Sequence, residues 1–210
     1  MKNSTKKNII NKAREQFNQY GFGQVTLRMI ANELSMSCGN LNYHFKKRED
    51  ILEVLYFEMV EVFDQRIDTL PQVELSILHL YNEVKTSMER MYTYRFFWTD
   101  IYNVLRTNIK IREHFQLVYE QRIKGCLYLL QNFQEQGLLR AEQYPKEYSY
   151  LAEQMIHFGN TWWYGTALYQ HNLAENVTKG TDQYVAILYP YLSTKGQEEI
   201  KKVMPWVFVK

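Results

Sequence analysis

A chain of 210 residues suffices for one large or two small domains, and its 46% apolar and 23% charged content is that of a globular protein that folds in water. No apolar run approaches the ~20 residues a membrane span needs. The basic start MKNSTKKN is followed by Ile9-Ile10 and then polar residues, not by the core of a signal peptide. Two cysteines, Cys38 and Cys126, make no disulfide framework, which points to a reducing cytoplasm, with a redox switch at Cys38 as a secondary reading. The net charge of +2 hides an asymmetry: residues 1 to 48 carry nine basic and two acidic groups (+7), the remainder sixteen and twenty-one (−5). A basic first quarter on an acidic body is the electrostatic footprint of a nucleic-acid module on a carrier.

Residues 5 to 20 read as a helix with Ile9, Ile10, Ala13, Phe17 and Tyr20 as its buried stripe and Gly21 at its end. Thr26 is placed to cap a second helix whose stripe is Leu27, Ile30, Ala31 and Leu34. Ser35 and Met36 break the pattern. Ser37 caps a third helix, and Met36 is positioned to pack on Leu41 as a hydrophobic staple. Leu41 and Phe45 face inward, which leaves Asn40, Asn42, Tyr43 and His44 on the other faces, while Gly39 lets the helix start approach a backbone closely. A helix held by its apolar side with a polar face free suits the DNA major groove, about 12 Å wide. An ordinary helical corner shows the same apolar pattern; the basic charge of the same segment favours DNA.

These residues carry a resemblance. Ile9, Ala13, Phe17, Gly21-Phe22, Thr26, Ile30-Ala31, Ser37, Gly39, Leu41, His44-Phe45, Arg48-Glu49 and Ile51-Leu52, taken in order, resemble the DNA-binding domain of the TetR family of bacterial transcriptional regulators over residues 9 to 55. The resemblance implies an all-α protein: a helix–turn–helix DNA-binding domain over residues 1–48, then a helical ligand-binding and dimerisation domain over 49–210. It implies backbone or base contacts from Thr26, Arg28, Ser37, Cys38, Gly39, Asn40, Asn42, Tyr43, His44, Lys46, Lys47 and Arg48. Arg28 and His44 take the family's phosphate-contacting positions, and Arg48 stands where the family has a phosphate-contacting lysine. Two positions depart from the pattern. Asn42 replaces a tyrosine that commonly touches phosphate, with Tyr43 beside it, and Cys38 replaces a longer polar or basic residue; both bear on the operator sequence.

Glu49 and Asp50 suit the positive end of a fourth helix running to about Asp68, with Leu52, Leu55, Met59, Val62 or Phe63, and Ile67 down one side and Leu70-Pro71 ending it. Lys47 is a poor cap for it. In the family this helix links head to body. Further helices are expected over about 73 to 92 (Leu78, Tyr81, Val84, Met88 and Met91 inward), 94 to 107, and 109 to 136 (Phe115, Val118, Ile123, Leu127, Leu130 and Phe133 inward), the last closed by Gly137-Leu138. Pro145 is expected to start a helix to about Asn172, and Thr181 or Asp182 one to about Leu192 that Pro190 bends or ends. A tail helix covers about 196 to 203.

Seventeen tyrosines, eleven phenylalanines and four tryptophans are many for this length. Ligand pockets are mostly apolar and aromatic, but an aromatic stripe at helical spacing is also plain core. With the resemblance, the expected ligand-binding residues are Phe97, Trp98, Tyr102, Tyr128, Met155, His157, Asn160 and Trp163, around a small hydrophobic or aromatic effector. The resemblance further implies a homodimer through the helices near 146 to 172 and 181 to 192. Gly159, Gly165 and Ala167 would allow close approach there, and Tyr184, Ile187, Leu188 and Tyr191 would give an apolar face. The expected partners are thus a palindromic double-stranded operator, a small-molecule effector and a second copy, with no membrane. No cofactor, metal or catalytic residue is expected: His79, His114, His157 and His171 lack HExxH spacing, and Glu153 with His157 one turn on is a weak metal hint. A regulator without a ligand, an activator, and a helical enzyme or carrier remain as alternatives.

Overall fold

The computed structural model describes residues 2–67, 75–169 and 175–209, with side chains described over 4–61, 75–169 and 175–209. Among these the chain is helical, and its one isolated β-bridge joins Leu139 to Leu192. Three helices form the head. α1 (Lys2–Tyr20) buries Ile9, Ile10, Ala13 and Phe17. Tyr20, expected in that stripe, is instead exposed: the helix stops there, and Gly21, at φ +81°, turns the chain away. α2 (Leu27–Glu33) is capped by Thr26 Oγ1, which accepts from Met29 N at 3.2 Å, and α3 (Cys38–His44) by Ser37 Oγ, which accepts from Asn40 N at 3.2 Å. Ile30, Ala31, Leu41 and Phe45 close the core beneath them.

α4 (Arg48–Ile67) packs on α1 at one end and on α5 and α8 further along. Lys47 does not cap it with its side chain; Asp50 reaches back, and its Oδ2 accepts from Lys46 N and Lys47 N at 3.1 Å each. Leu52, Leu55 and Met59 are buried; the side chains of Val62, Phe63 and Ile67, and the expected stop at Leu70-Pro71, lie outside the described residues.

α5 (Ile77–Thr93) starts behind a Ser76 cap and turns Ile77, Leu80, Tyr81, Val84, Met88 and Met91 inward. Leu78, expected inward, is exposed: the apolar arc is centred one position away, on Ile77 and Tyr81. The expected single helix over 94 to 107 is two, α6 (Arg95–Thr99) and α7 (Ile101–Thr107), separated at Asp100. Two local bonds draw the chain out of register there: Thr99 Oγ1 donates to Arg95 O, and Asp100 Oδ1 accepts from Asn103 Nδ2 at 2.6 Å. α8 (Ile109–Glu135) ends as expected: Gly137, at φ +71°, donates to Gln134 O and Leu138 N donates to Phe133 O at 2.8 Å, a Schellman closure.

α9 (Glu147–Tyr169) begins two residues past Pro145; the expected stop at Asn172 lies outside the described residues, as does His171. α10 (Asn176–Ala186) starts earlier and stops sooner than expected, with Thr181 fully buried inside it and Pro190 in a separate 3-10 turn. α11 (Thr194–Val203) is capped by Ser193. α5, α8, α9 and α10 pack into the body, and α11 covers α5. The head is seated on this body through α1 and α6: Phe17 meets Phe96 at 5.3 Å, Asn18 Nδ2 donates to Thr93 O at 2.8 Å, and Phe96 N donates to Asn18 Oδ1 at 3.1 Å.

Candidate nucleic-acid interface and body cavity

The polar face of α3 is exposed. Cys38, Gly39, Asn40, Asn42 and Tyr43 are exposed, with the Tyr43 ring 63% accessible beside His44, while Leu41 and Phe45 anchor the opposite side. Thr26, Arg28, Ser37, Lys46 and Lys47 are exposed as well. The hydroxyls of Thr26 and Ser37 are committed to helix caps, so what they offer a partner is backbone N–H groups at two helix starts. Ten of the twelve residues expected to meet DNA are thus exposed, and His44 and Arg48 are half-buried.

Arg48 is placed differently. Its Nη1 donates to Phe22 O, Gly23 O and Val25 O at 3.1, 2.9 and 3.2 Å, its Nε pairs with Glu49 at 3.0 Å, and the guanidinium lies 4.6 Å from the Phe22 ring centre. Through Nε and Nη1 this guanidinium is a latch between the start of α4 and the turn before α2. The phosphate contact that the resemblance implied would fall to Nη2, since Nε and Nη1 are bonded within the protein.

In the body, α4, α5, α6, α8, α9 and α10 line a partly open cavity of about 230 Å³. Val60, Leu80, Val84, Met88, Met91, Phe115, Val118 and Ile156 give it an apolar wall, and His79, Glu83, Ser87, Arg122 and Tyr184 add polar groups. Of the eight residues expected around an effector, Trp98 and Met155 lie on this wall. Phe97 and Trp163 are core, packed on Tyr56 and Tyr92 at 5.4 and 5.5 Å. Tyr102 is 74% exposed because it lies past the break at Asp100. Tyr128 is exposed on α8, and His157 stands on the outer face of α9, stacked on Tyr119. Asn160 sits behind the wall, where its Oδ1 accepts from Arg122 Nη1 at 2.6 Å.

Arg122 was missed in the sequence, though a signal was there. Val118, Arg122, Cys126 and Leu129 form one stripe on α8, and a basic residue inside an apolar stripe needs a reason. Two residues expected in a dimer interface also belong to the protomer itself: Tyr184 lines the cavity and Leu188 is fully buried. Gly159 faces Arg122 and Tyr184 within the same chain. Among the described residues no group of three or more His, Cys, Asp or Glu is placed to hold a metal, and no helix is long and apolar enough to cross a membrane.

Comparison with known proteins adds the deciding observation. Residues 9–55 match the family described as bacterial regulatory proteins, tetR family, and residues 58–200 match that described as bacterial transcriptional repressor. The chain belongs to the TetR family. It is a TetR-family transcriptional regulator, and its all-α build of helix–turn–helix head and helical body is that of the family. The HTH-type regulator YttP of Bacillus subtilis (strain 168) is 35% identical over 69 residues, which is only 33% of each chain. A TetR-family regulator of Marinobacter aquaeolei VT8 superposes with a TM-score of 0.86 at 20% identity over 96% of this chain and 98% of its own. Two less similar structures were solved with small molecules. A Saccharomonospora viridis regulator in complex with choline has a TM-score of 0.68 at 18% identity, over 91% and 99% of the two chains. SmeT of Stenotrophomonas maltophilia in complex with triclosan has a TM-score of 0.59 at 14% identity, over 91% and 93%.

Proposed function

We propose that this TetR-family regulator is a cytoplasmic, homodimeric repressor: residues 1–48 hold a palindromic operator, and a small molecule entering the cavity within residues 49–210 releases it. One observation carries this reading. α4 touches both places: it begins at the Arg48 latch under the head and brings Val60 to the cavity wall. Halfway along, Arg90 of α5 grips it, with Nε donating to Met59 O at 2.8 Å and Nη2 to Glu58 O at 2.5 Å. Arg90 is flanked by Met88 and Met91, both on the wall. A ligand shifts an equilibrium only through contacts that differ between the two states, and a wall built partly from α4 supplies such contacts. The exposed face of α9, with Tyr150, Gln154, His157, Thr161, Tyr164 and Leu168 at alternating four- and three-residue spacing, is the surface we assign to the two-fold partner. Two recognition helices then meet half-sites about one DNA turn, ~34 Å, apart or a little more.

The test is a salt-dependent titration of the chain with DNA from its own upstream region, repeated with compounds that occupy the cavity. A sequence-specific complex with a steep salt slope, weakened by a cavity ligand, is the expected result. The absence of any sequence-specific complex would sink the regulator reading for this DNA-binding face, and a head-to-head crosslink that leaves ligand response intact would sink coupling through α4.

A further inference from the structure

The cavity wall carries a cation with no acid to meet. Arg122 spends Nη1 on the neutral amide of Asn160 at 2.6 Å. Its Nη2 lies against α9 at Gly159, where an added Cβ would come within 3.4 Å of it, and the Tyr184 ring stands 3.5 Å from the same point. The groups that face it are neutral: burial pushes the Cys126 thiol up to about 12 and raises the Tyr184 phenol as well. Arg122 keeps some surface open, yet it lies deep enough that burial pushes its own guanidinium down. Among the described residues no carboxylate pairs with it; Glu83, on the same wall, has an interaction of its own. Arginine stays charged at neutral pH. A charge withdrawn from water is costly until it is paired, and four of its five N–H donors have no partner shown in a fork that fits a carboxylate in bidentate fashion. Nearby, the buried indole Nε1 of Trp98 is a second donor without an acceptor.

We propose that the cavity takes an amphipathic organic acid, its carboxylate completing Arg122 and its hydrocarbon or ring portion lying along Val84, Met88, Met91 and Met155. This rests on the reading of the cavity as the effector site and names the ligand class for it. A volume of about 230 Å³ suits a medium-chain or one-ring acid better than a long lipid.

The test uses the full chain and three probes of matched length: decanoate, 1-decanol and decyltrimethylammonium, titrated calorimetrically at neutral pH. Decanoate should bind about tenfold or more tighter than the alcohol, as a charge-assisted bond in a sheltered site implies, with the ammonium weakest. Arg122→Gln should erase the acid–alcohol difference while leaving the alcohol unchanged. Asn160→Asp, of the same size, supplies the missing carboxylate from within and should erase it too. Equal affinity for acid and alcohol in the unaltered protein, a preference for the ammonium, or no binding of any probe overturns the proposal, and none of these outcomes depends on a variant folding. Operator release is read separately. Decanoate that binds through Arg122 but leaves the DNA complex intact upholds the acid site and removes ligand-released repression. Release by a cation or a neutral compound, with decanoate inert, keeps the regulator and overturns the acid site.

Discussion

The outer face of α3 and the inner wall of the cavity are both built from helix surfaces, and they differ in which side of the helix does the work. On α3 the apolar positions Leu41 and Phe45 are used up in holding the helix, so the polar positions stay exposed on its outer side. On α5, α8 and α9 the inward positions serve as core and as cavity lining at once. Met155 lines the cavity while Trp163, two turns along the same helix, is sealed in the core. A site on the outside of a helix is the complement of its hydrophobic stripe. A site on the inside is a subset of that stripe, selected by gaps between helices.

Truncating the two kinds of anchor gives the largest expected effects. Trp163→Ala should cost about 3–5 kcal/mol and Leu41→Ala about 2–5 kcal/mol of stability. Leu41→Ala should also remove specific and random DNA binding together, while ligand affinity in the body survives. Denaturant unfolding with parallel DNA and ligand titrations checks both. Loss of ligand binding in Leu41→Ala would mean that head and body are not separable.

On the exposed face the effect should be smaller and selective. Asn40→Ala and Tyr43→Ala should each weaken operator binding by about 1–3 kcal/mol if they read bases, with stability unchanged. Lys47→Ala should weaken all sequences alike and lower the salt slope by about one. Equal losses on operator and random DNA for Asn40→Ala would remove Asn40 from the base-reading set.

Arg48 lies between the two regions, at the start of the helix that brings Val60 to the cavity, and Arg48→Lys separates its two possible roles. The substitution keeps the charge and loses the fork. As a latch on three carbonyls, Arg48 makes this change destabilising by about 1–2 kcal/mol, with the salt slope for DNA unchanged. A phosphate contact would give the reverse: unchanged stability, and a slope that falls only in Arg48→Ala.

The head was legible because its signals are local. Thr26 and Ser37 cap where their hydroxyls fall in sequence, and the stripe of Ile30, Ala31, Leu41 and Phe45 is the buried one. In the body, what lay beyond the sequence depended on register and on distant partners. The break at Asp100 comes from short side-chain bonds that hydrophobic spacing does not encode, and it sends Tyr102 outward. His157 follows the inward pair Met155-Ile156 by a single position and so faces out. Arg122 was readable as a charge within a stripe. That its neighbours would all be neutral depends on Asn160, Tyr184 and Cys126 converging from three helices.

The last effect is present in full at neutral pH, disappears in acid and acts on one region only. Glu147, 2% exposed at the start of α9, accepts from Arg140 Nη1 and Nη2 at 2.9 and 2.7 Å and from Gln143 N at 2.7 Å. The Arg140 bonds, against the opposing effect of burial and with help from the backbone bond, hold its carboxyl down from the usual 4.5 to about 2. A carboxylate lowered on folding contributes stability that is present above its unfolded value and is lost as pH falls through the folded one. The loss should therefore run from about 4.5 down to about 2. Glu53 on α4, bonded to Asn108 and Lys110, is also lowered; like Glu147 it lies outside residues 1–48. Thermal unfolding followed between neutrality and pH 2 should show a body that loosens on this limb, with Glu147→Gln flattening it and the unaltered curve meeting the variant's at the acid end. Because Glu147 anchors the helix that carries Met155 and Gly159, the same acid limb should weaken ligand binding before it touches the fold of α3. A head that melts first, or a Glu147→Gln curve as steep as the original, would take the pH sensitivity away from the body.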